Sequence, residues 1–206
     1  MKSALANLVY PILSYGLDLK ERVDRGEALE VEYEQNQLIH RIQPAEGSFV
    51  PEFVGQGNFL GVRYALICWL DEIFILDSKW SAAWNERSLE SQIYSTRDRY
   101  WKFWEQYELA KPMGTDIVEA FYQCVMLGFR GRYGDAPDDL KAKMDDAKAR
   151  VVKSLSQAWN APSGLNVPAD VPPLRARNGL RRMVLIGLAT FLLLGIGVVV
   201  VILNAN

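Results

Sequence analysis

Two adjacent carboxylates, Asp71 and Glu72, are the residues best placed to do chemistry. They follow Cys68–Leu70 in the middle of an apolar helical stretch, where an ionised side chain is costly unless it is paired. Neighbouring helical residues point about 100° apart, so the two carboxylates do not converge as a catalytic pair would. Two interpretations stay open. Either one carboxylate accepts hydrogen bonds from a helix end or from Arg130 or Arg132, or the pair contributes to a partner-facing site.

Other reactive side chains are few. His40 is the only histidine and has no partner near it in sequence, while Cys68 and Cys124 lie in apolar runs without a CxxC, as reduced buried thiols do. The P-loop, GxGxxG, GxSxG and HExxH patterns are absent. We therefore expect no catalytic residue, no metal and no cofactor. The alternative is a membrane-tethered enzyme that uses Asp71, Glu72 and one or more arginines.

The acidic charge lies in the first 174 of the 206 residues. Residues 1–174 hold all 25 acidic residues and 19 of the 23 basic ones, so their formal charge is −6. An acidic body argues against nucleic acid as the main partner, since phosphate binding needs a basic face. Half of the residues are hydrophobic, which is enough for the core of one ordinary domain with an appendage.

An uncharged run of 21 residues, Met183–Leu203, lies near the C-terminus. As a helix it would measure roughly 31 Å, about one hydrocarbon core, so it predicts a transmembrane helix. Arginines precede this run and no basic residue follows it, which by the positive-inside rule leaves the N-terminal domain in the cytoplasm. These arginines are Arg175, Arg177, Arg181 and Arg182. Small residues on one face of the span predict a helix-pairing surface. That face comprises Gly187, Thr190, Leu194 and Gly197.

Prolines and glycines divide the chain into segments. The pattern predicts a helical domain at 1–160, a proline-rich linker at 161–182, the membrane span at 183–203 and a short periplasmic tail at 204–206. We expect an all-α domain of about seven helices without required strands. The first has Leu5, Leu8, Val9, Ile12 and Leu13 on one face, and the others are Leu29–Ile42, Phe59–Leu76, Trp80–Tyr94, Arg97–Leu109, Thr115–Phe129 and Asp138–Trp159. The most apolar one, Phe59–Leu76, is expected at the centre, and Thr115 is expected to cap its helix.

Aromatic residues are concentrated between Trp80 and Tyr107. Core packing is the first expectation for such residues. The aromatics of Tyr100–Tyr107 fall on more than one side of the predicted helix, so we expect some of them to be exposed as a partner surface.

Two stretches resemble signatures of the TssL/DotU family. Arg63–Glu72 (RYALICWLDE) resembles its RYAL-x-x-W-LDE helix, and Phe121–Tyr133 (FYQCVMLGFRGRY) resembles its YxCLxLGFxGRY signature. Their order and spacing agree, as does the single C-terminal anchor, and the resemblance covers residues 4–203. The positions it marks as partner-binding or structural are Arg63, Tyr64, Trp69, Asp71, Glu72, Gly128, Gly131, Arg132 and Tyr133.

The resemblance implies a non-enzymatic inner-membrane component of a bacterial type VI secretion system, or of the related type IVB system. Its cytoplasmic domain would be a hook-like pair of helical bundles that links the membrane complex to the baseplate. The implied partners are a TssM/IcmF-like inner-membrane protein, a TssJ-like lipoprotein, a TssK-like baseplate subunit and further copies of the chain. Ser95–Trp101 departs from the family's GGE-x-F turn. We expect no peptidoglycan-binding domain after the anchor, although some members carry one.

Overall fold

The computed structural model describes residues 1, 3–43, 50–76 and 78–158, all within one unit, Met1–Asn160. This part of the chain is all-helical, as predicted, and its strand-like pairing is limited to an isolated bridge between Gln56 and Phe59. Its helices are α1 (Ser3–Arg25), α2 (Val31–Ile42), α3 (Pro51–Val54), α4 (Gly61–Leu76), α5 (Ser81–Glu86), α6 (Leu89–Tyr94), α7 (Arg99–Ala110), α8 (Thr115–Met126) and α9 (Pro137–Ala158). A 3-10 helix, Gly131–Tyr133, lies between α8 and α9.

The centre of this unit is α4. Its residues from Tyr64 to Glu72 are all buried, and it packs against α1, α3, α5, α6, α7 and α8. A helix surrounded by neighbours must be apolar all round, which confirms the prediction made for this segment. At its start, a Cβ on Gly61 would lie 2.1 Å from the carbonyl oxygen of Phe53, so only glycine lets α4 begin beside α3.

The predicted face of α1 packs onto this core. Leu5, Val9, Ile12 and Leu13 are buried, and Leu8 is half-buried. One turn further along, α1 approaches α4 closely, because a Cβ on Gly16 would lie 2.8 Å from the ring of Trp69. The apolar spacing thus correctly identified the side of α1 that faces the centre.

The segment predicted as one helix, Trp80–Tyr94, is two helices. Ser88 is extended and caps α6 by accepting a hydrogen bond from the amide of Ser91. In a continuous helix the amides of Leu89 and Glu90 would bond to carbonyls four residues earlier. Both amides donate instead to the carboxylate of Asp71 on α4. The carboxylate of Asp71, on another helix, therefore takes the amides that would continue α5 and separates α5 from α6.

Two short elements and one helix cap also differ from the prediction. The four-residue α3 is too short for an apolar period to reveal, although Pro51 suits a first helical position. The 3-10 helix falls between two predicted helices. Thr115 is the first residue of α8 and Gly114 occupies the cap position, so the predicted Thr115 cap is wrong.

The aromatic region divides into buried and exposed members. Trp84, Phe103, Trp104 and Tyr107 are core residues. Tyr100 and Trp101, at the start of α7, keep 56% and 41% of their surface exposed. The expectation that this stretch serves both the core and the surface is confirmed.

No helix in the described part of the chain combines the length and apolarity needed to cross a bilayer. The predicted linker at 161–182, span at 183–203 and tail at 204–206 lie outside the described residues. So do the four flanking arginines and the predicted helix-pairing face. These features stay predictions, as does the hook-like pairing of two bundles.

Candidate functional site around the buried carboxylates

Asp71 is fully buried and serves as the acceptor for the start of α6. Its Oδ1 accepts hydrogen bonds from the Trp84 indole at 2.9 Å and from the Leu89 amide at 2.8 Å, and its Oδ2 accepts from the Glu90 amide at 2.8 Å. The first amides of a helix have no partner within the helix, so a carboxylate placed there satisfies them and complements the helix dipole. Asp71 therefore joins the central helix to α5 and α6.

Glu72 points to another part of the molecule and holds the turn after α8. Its Oε1 accepts from the amides of Arg130 at 2.7 Å and Gly131 at 3.0 Å. The side chain is 5% exposed. The interpretation that one carboxylate accepts hydrogen bonds from a helix end agrees with Asp71 at the start of α6. Glu72 contacts the turn after α8 through the main-chain amides of Arg130 and Gly131, and not through an arginine side chain.

Burial dominates the ionisation of both groups. Desolvation raises the pKa of Asp71 to about 6, against the opposing effect of its three hydrogen bonds. Desolvation also raises the pKa of Glu72, and the amides of Gly131 and Arg130 oppose it. The positive charge of Arg99 acts against burial and partly offsets the rise in the pKa of both carboxyls. Arg99, on α7, is an electrostatic partner that the sequence pattern did not indicate.

A third buried carboxylate, Glu90 on α6, extends the same arrangement. It accepts from the Tyr64 hydroxyl at 2.7 Å and from the amides of Asp98 at 3.0 Å and Arg99 at 3.1 Å. These amides lie at the start of α7, so Glu90 does for α7 what Asp71 does for α6. No local signal marks this residue, because its neighbours Ser88, Ser91 and Gln92 are polar.

The remaining signature positions also serve packing. The indole of Trp69 donates to the Leu127 carbonyl at 3.1 Å. Arg63 donates to the hydroxyl of Tyr94 and lies over its ring. The side chain of Arg132 donates a hydrogen bond to the hydroxyl of Tyr133, and the Tyr133 ring packs edge-on against Trp104. Gly128 and Gly131 have positive φ and form the backbone turn. Arg132 points to solvent and is exposed.

A groove of about 310 Å³ opens on the surface beside Glu72. Its lining comprises Leu17, Lys20, Glu72, Ile73, Leu76, Leu127, Gly128 and Arg130. Asp71 does not reach it, and the Glu72 oxygens are already bonded to two amides. A catalytic centre needs polar groups that converge on one cavity, and this groove does not bring the two carboxylates together.

The other residues considered for chemistry are accounted for separately. Cys68 and Cys124 are free and buried, as predicted, and burial raises the pKa of both thiols. Buried thiols of this kind are unreactive. His40 is exposed on α2. Over the described residues, no cluster of histidine, cysteine and acidic side chains is arranged to hold a metal ion.

Comparison with protein-family models gives a match over residues 4–204 to the family described as type VI secretion system protein DotU. No significant match is found among curated proteins or among solved structures. The matched range includes nearly all of α1 and the whole of α2 to α9, with the buried carboxylates of Asp71, Glu72 and Glu90, and it continues through the uncharged run at 183–203. The chain therefore belongs to the DotU family of type VI secretion system proteins.

Proposed function

We propose that the protein is a structural adaptor of the bacterial inner membrane, with its helical domain in the cytoplasm and residues 183–203 as its single anchor. It links a membrane complex to the cytoplasmic baseplate of a type VI secretion system. The observation that carries the proposal is the family match over residues 4–204, which spans both the domain and the uncharged run. A linker at 161–182 would keep the domain at high local concentration beside membrane-bound partners. Those partners are a TssM/IcmF-like protein, a TssJ-like lipoprotein, a TssK-like subunit and further copies of the chain.

The signature residues serve this role by fixing the shape of the domain. Asp71 and Glu72 accept main-chain hydrogen bonds from α6 and from the turn after α8. Through these bonds the central helix positions two surface segments without exposing its own carboxylates. A binding surface with fixed geometry loses less entropy on association than a mobile one. An adaptor gains affinity in this way without any catalytic group.

Affinity purification of the full chain from native membranes tests the proposal. We expect the TssM/IcmF-like, TssJ-like and TssK-like subunits to co-purify. Recovery of type IVB components instead would assign the protein to that related system, and recovery without any secretion component would overturn the adaptor role. Extraction of the chain by alkaline carbonate would overturn the anchor.

The variant Glu72→Ala tests whether Glu72 maintains the shape of the domain or contacts a partner protein directly. The substitution leaves the amides of Arg130 and Gly131 without their acceptor, so we expect the melting temperature and partner recovery to fall together. Glu21→Ala, which removes an exposed carboxylate of α1, is the control. Lost recovery at an unchanged melting temperature would instead indicate direct contact with a partner. A variant that keeps both properties would show that Glu72 has neither role.

A further inference from the structure

Two segments that are distant in sequence form one surface at the start of α7. The first is Arg97–Lys102 and the second is the turn Arg130–Tyr133. They touch through the main chain, because a Cβ on Gly131 would lie 2.6 Å from the carbonyl oxygen of Tyr100. The indole of Trp104 also donates to the carbonyl of Arg130 at 3.0 Å. We call these two segments together the aromatic–basic face.

Five basic residues lie on this face, against the single acidic Asp98 within the two segments. They are Arg97, Arg99, Lys102, Arg130 and Arg132. None of the five forms an ion pair with a described carboxylate, whereas some basic residues elsewhere do, as in Lys20–Asp24 and Arg25–Glu21. Glu105 and Glu108 lie near Arg132 without forming such a pair. The charge of Arg99 acts on the buried carboxyls of Asp71 and Glu72. The face therefore owes its positive charge to Arg97, Lys102, Arg130 and Arg132, on a domain whose formal charge over residues 1–174 is −6.

The exposed aromatics give this positive face a second property. Tyr100 and Trp101 lie in the first turn of α7 beside Lys102, and they keep 56% and 41% of their surface exposed. Tyrosine and tryptophan have an apolar body with one polar atom, and they settle at the boundary between lipid headgroups and acyl chains. Arginine and lysine beside them are attracted to anionic headgroups. The combination is that of a surface that lies on a membrane.

We propose that the aromatic–basic face rests on the anionic lipid headgroups of the membrane to which the chain is anchored. This proposal rests on the anchor given under the proposed function. A linker with the 22 residues of 161–182 reaches at most roughly 70 Å when it is extended as proline-rich linkers are, so the domain stays close enough to turn this face toward the bilayer. The like charges of Arg97, Lys102, Arg130 and Arg132 repel one another, and an anionic surface relieves that repulsion. The acidic remainder of the domain is repelled by the same surface, which selects one orientation.

Hydroxyl-radical footprinting of the full chain in lipid nanodiscs tests this orientation. We compare neutral lipid with lipid that contains about 30% anionic headgroups, typical of a cytoplasmic leaflet rich in such lipids. Oxidation of Tyr100 and Trp101 is expected to fall at least about threefold in the anionic discs, because basic residues near the surface strengthen its contact with the membrane. Tyr33 on α2, which is 61% exposed, is the internal reference and should not change. About 0.5 M salt should abolish the protection by screening.

Paired variants keep the test specific to this face. Arg130→Gln with Arg132→Gln removes two of its charges and leaves the main-chain amide that Glu72 binds, and should abolish the protection. Arg25→Gln with Arg150→Gln removes the same charge elsewhere and should preserve it. Equal oxidation of Tyr100 and Trp101 in neutral and anionic discs would overturn the proposal. Protection that arises in neutral discs only on addition of a purified TssK-like subunit would assign the face to a protein and overturn it as well.

Failure of the anchor would be seen separately, as a chain that does not co-purify with neutral nanodiscs. Flotation of that chain with anionic vesicles would then still test whether the aromatic–basic face binds anionic lipid. Binding that the Arg130/Arg132 variant loses would support the lipid contact, and absence of binding would overturn it.

Discussion

Asp71 combines complete burial with three hydrogen-bond donors, and these two influences oppose each other. Burial favours the protonated carboxyl, while the donors from Trp84, Leu89 and Glu90 favour the carboxylate. Because burial prevails, the pKa is about 6 in the folded chain against an ordinary value of 3.8. The folded chain thus holds this proton more tightly than the unfolded chain does. This group therefore makes the free energy of unfolding fall as pH rises from about 4 to about 6.

We predict that Asp71→Asn destabilises the domain, and more so at pH 4 than at pH 7. The amide keeps one acceptor oxygen but turns an NH₂ group toward a main-chain amide, which costs about 1–3 kcal/mol. The variant also lacks the titration that favours the folded wild type at low pH. Urea unfolding of residues 1–160 between pH 4 and pH 7 measures both effects. Asp18→Asn, at an exposed site on α1, should change the free energy by less than about 0.5 kcal/mol. A cost that grows with pH would contradict the raised pKa.

At the scale of elements, the end of α6 depends on a residue in an unfavourable conformation. Ser95 has φ +56°, the only positive φ of a non-glycine residue in the described ranges, and it ends α6 in the left-handed region. We predict that Ser95→Gly raises the free energy of unfolding by about 0.5–1 kcal/mol, since glycine adopts this conformation without a Cβ clash. Thermal melts check this. Ser14→Gly, inside α1, should instead destabilise by about 1 kcal/mol. Destabilisation by Ser95→Gly would show that the serine side chain makes a contact that outweighs its strain.

The turn after α8 depends on glycine in a similar way. Gly131 has φ +51° and lies against the backbone of Tyr100, so Gly131→Ala meets both strain and a clash at 2.6 Å. We predict a loss of about 2–4 kcal/mol, because the turn must move away from α7 and Glu72. The matched control is Gly134→Ala, whose Cβ would find its nearest neighbour at 3.4 Å and which has a helical φ of −54°. Similar denaturation midpoints for the two variants would show that the turn has no such tight contact.

At the scale of the whole molecule, we predict that residues 1–160 fold without the rest of the chain. Every buried hydrophobic residue of the described core lies between Leu5 and Ala147, so the core closes within this unit. Circular dichroism of the 1–160 fragment should show a helical spectrum and a single cooperative melt. A non-cooperative melt, or a substantial β-sheet signal, would mean that the core needs a further segment or a partner.

We also predict that this domain faces the cytoplasm. Four arginines, Arg175, Arg177, Arg181 and Arg182, lie directly before the uncharged run, so the positive-inside rule predicts that residues 1–182 lie on the cytoplasmic side. Protease added to intact spheroplasts should leave the domain uncut, and lysis should expose it. Cleavage before lysis would reverse the orientation and place the aromatic–basic face on the opposite leaflet.

Features that depend on local pattern could be predicted from the amino-acid sequence alone. The all-α class, the central position of α4 and the buried side of α1 follow from apolar spacing, because a helix repeats every 3.6 residues. The need of Asp71 and Glu72 for donors also follows from the sequence, since a charge inside an apolar helix must be compensated. These inferences require no knowledge of which segments meet.

Which groups donate to these carboxylates depends on how the chain folds. The amides bound by Asp71 lie 18 and 19 residues away, and those bound by Glu72 lie 58 and 59 residues away. The apolar period of a helix says nothing about contacts between residues so far apart in sequence. Neither the division of Trp80–Tyr94 into two helices nor the role of Glu90 could therefore be predicted from the apolar spacing. The aromatic–basic face arose in the same way. Residues 97–102 and 130–133 form one surface because Gly131 lets two backbones touch, a contact that exists only once the chain has folded.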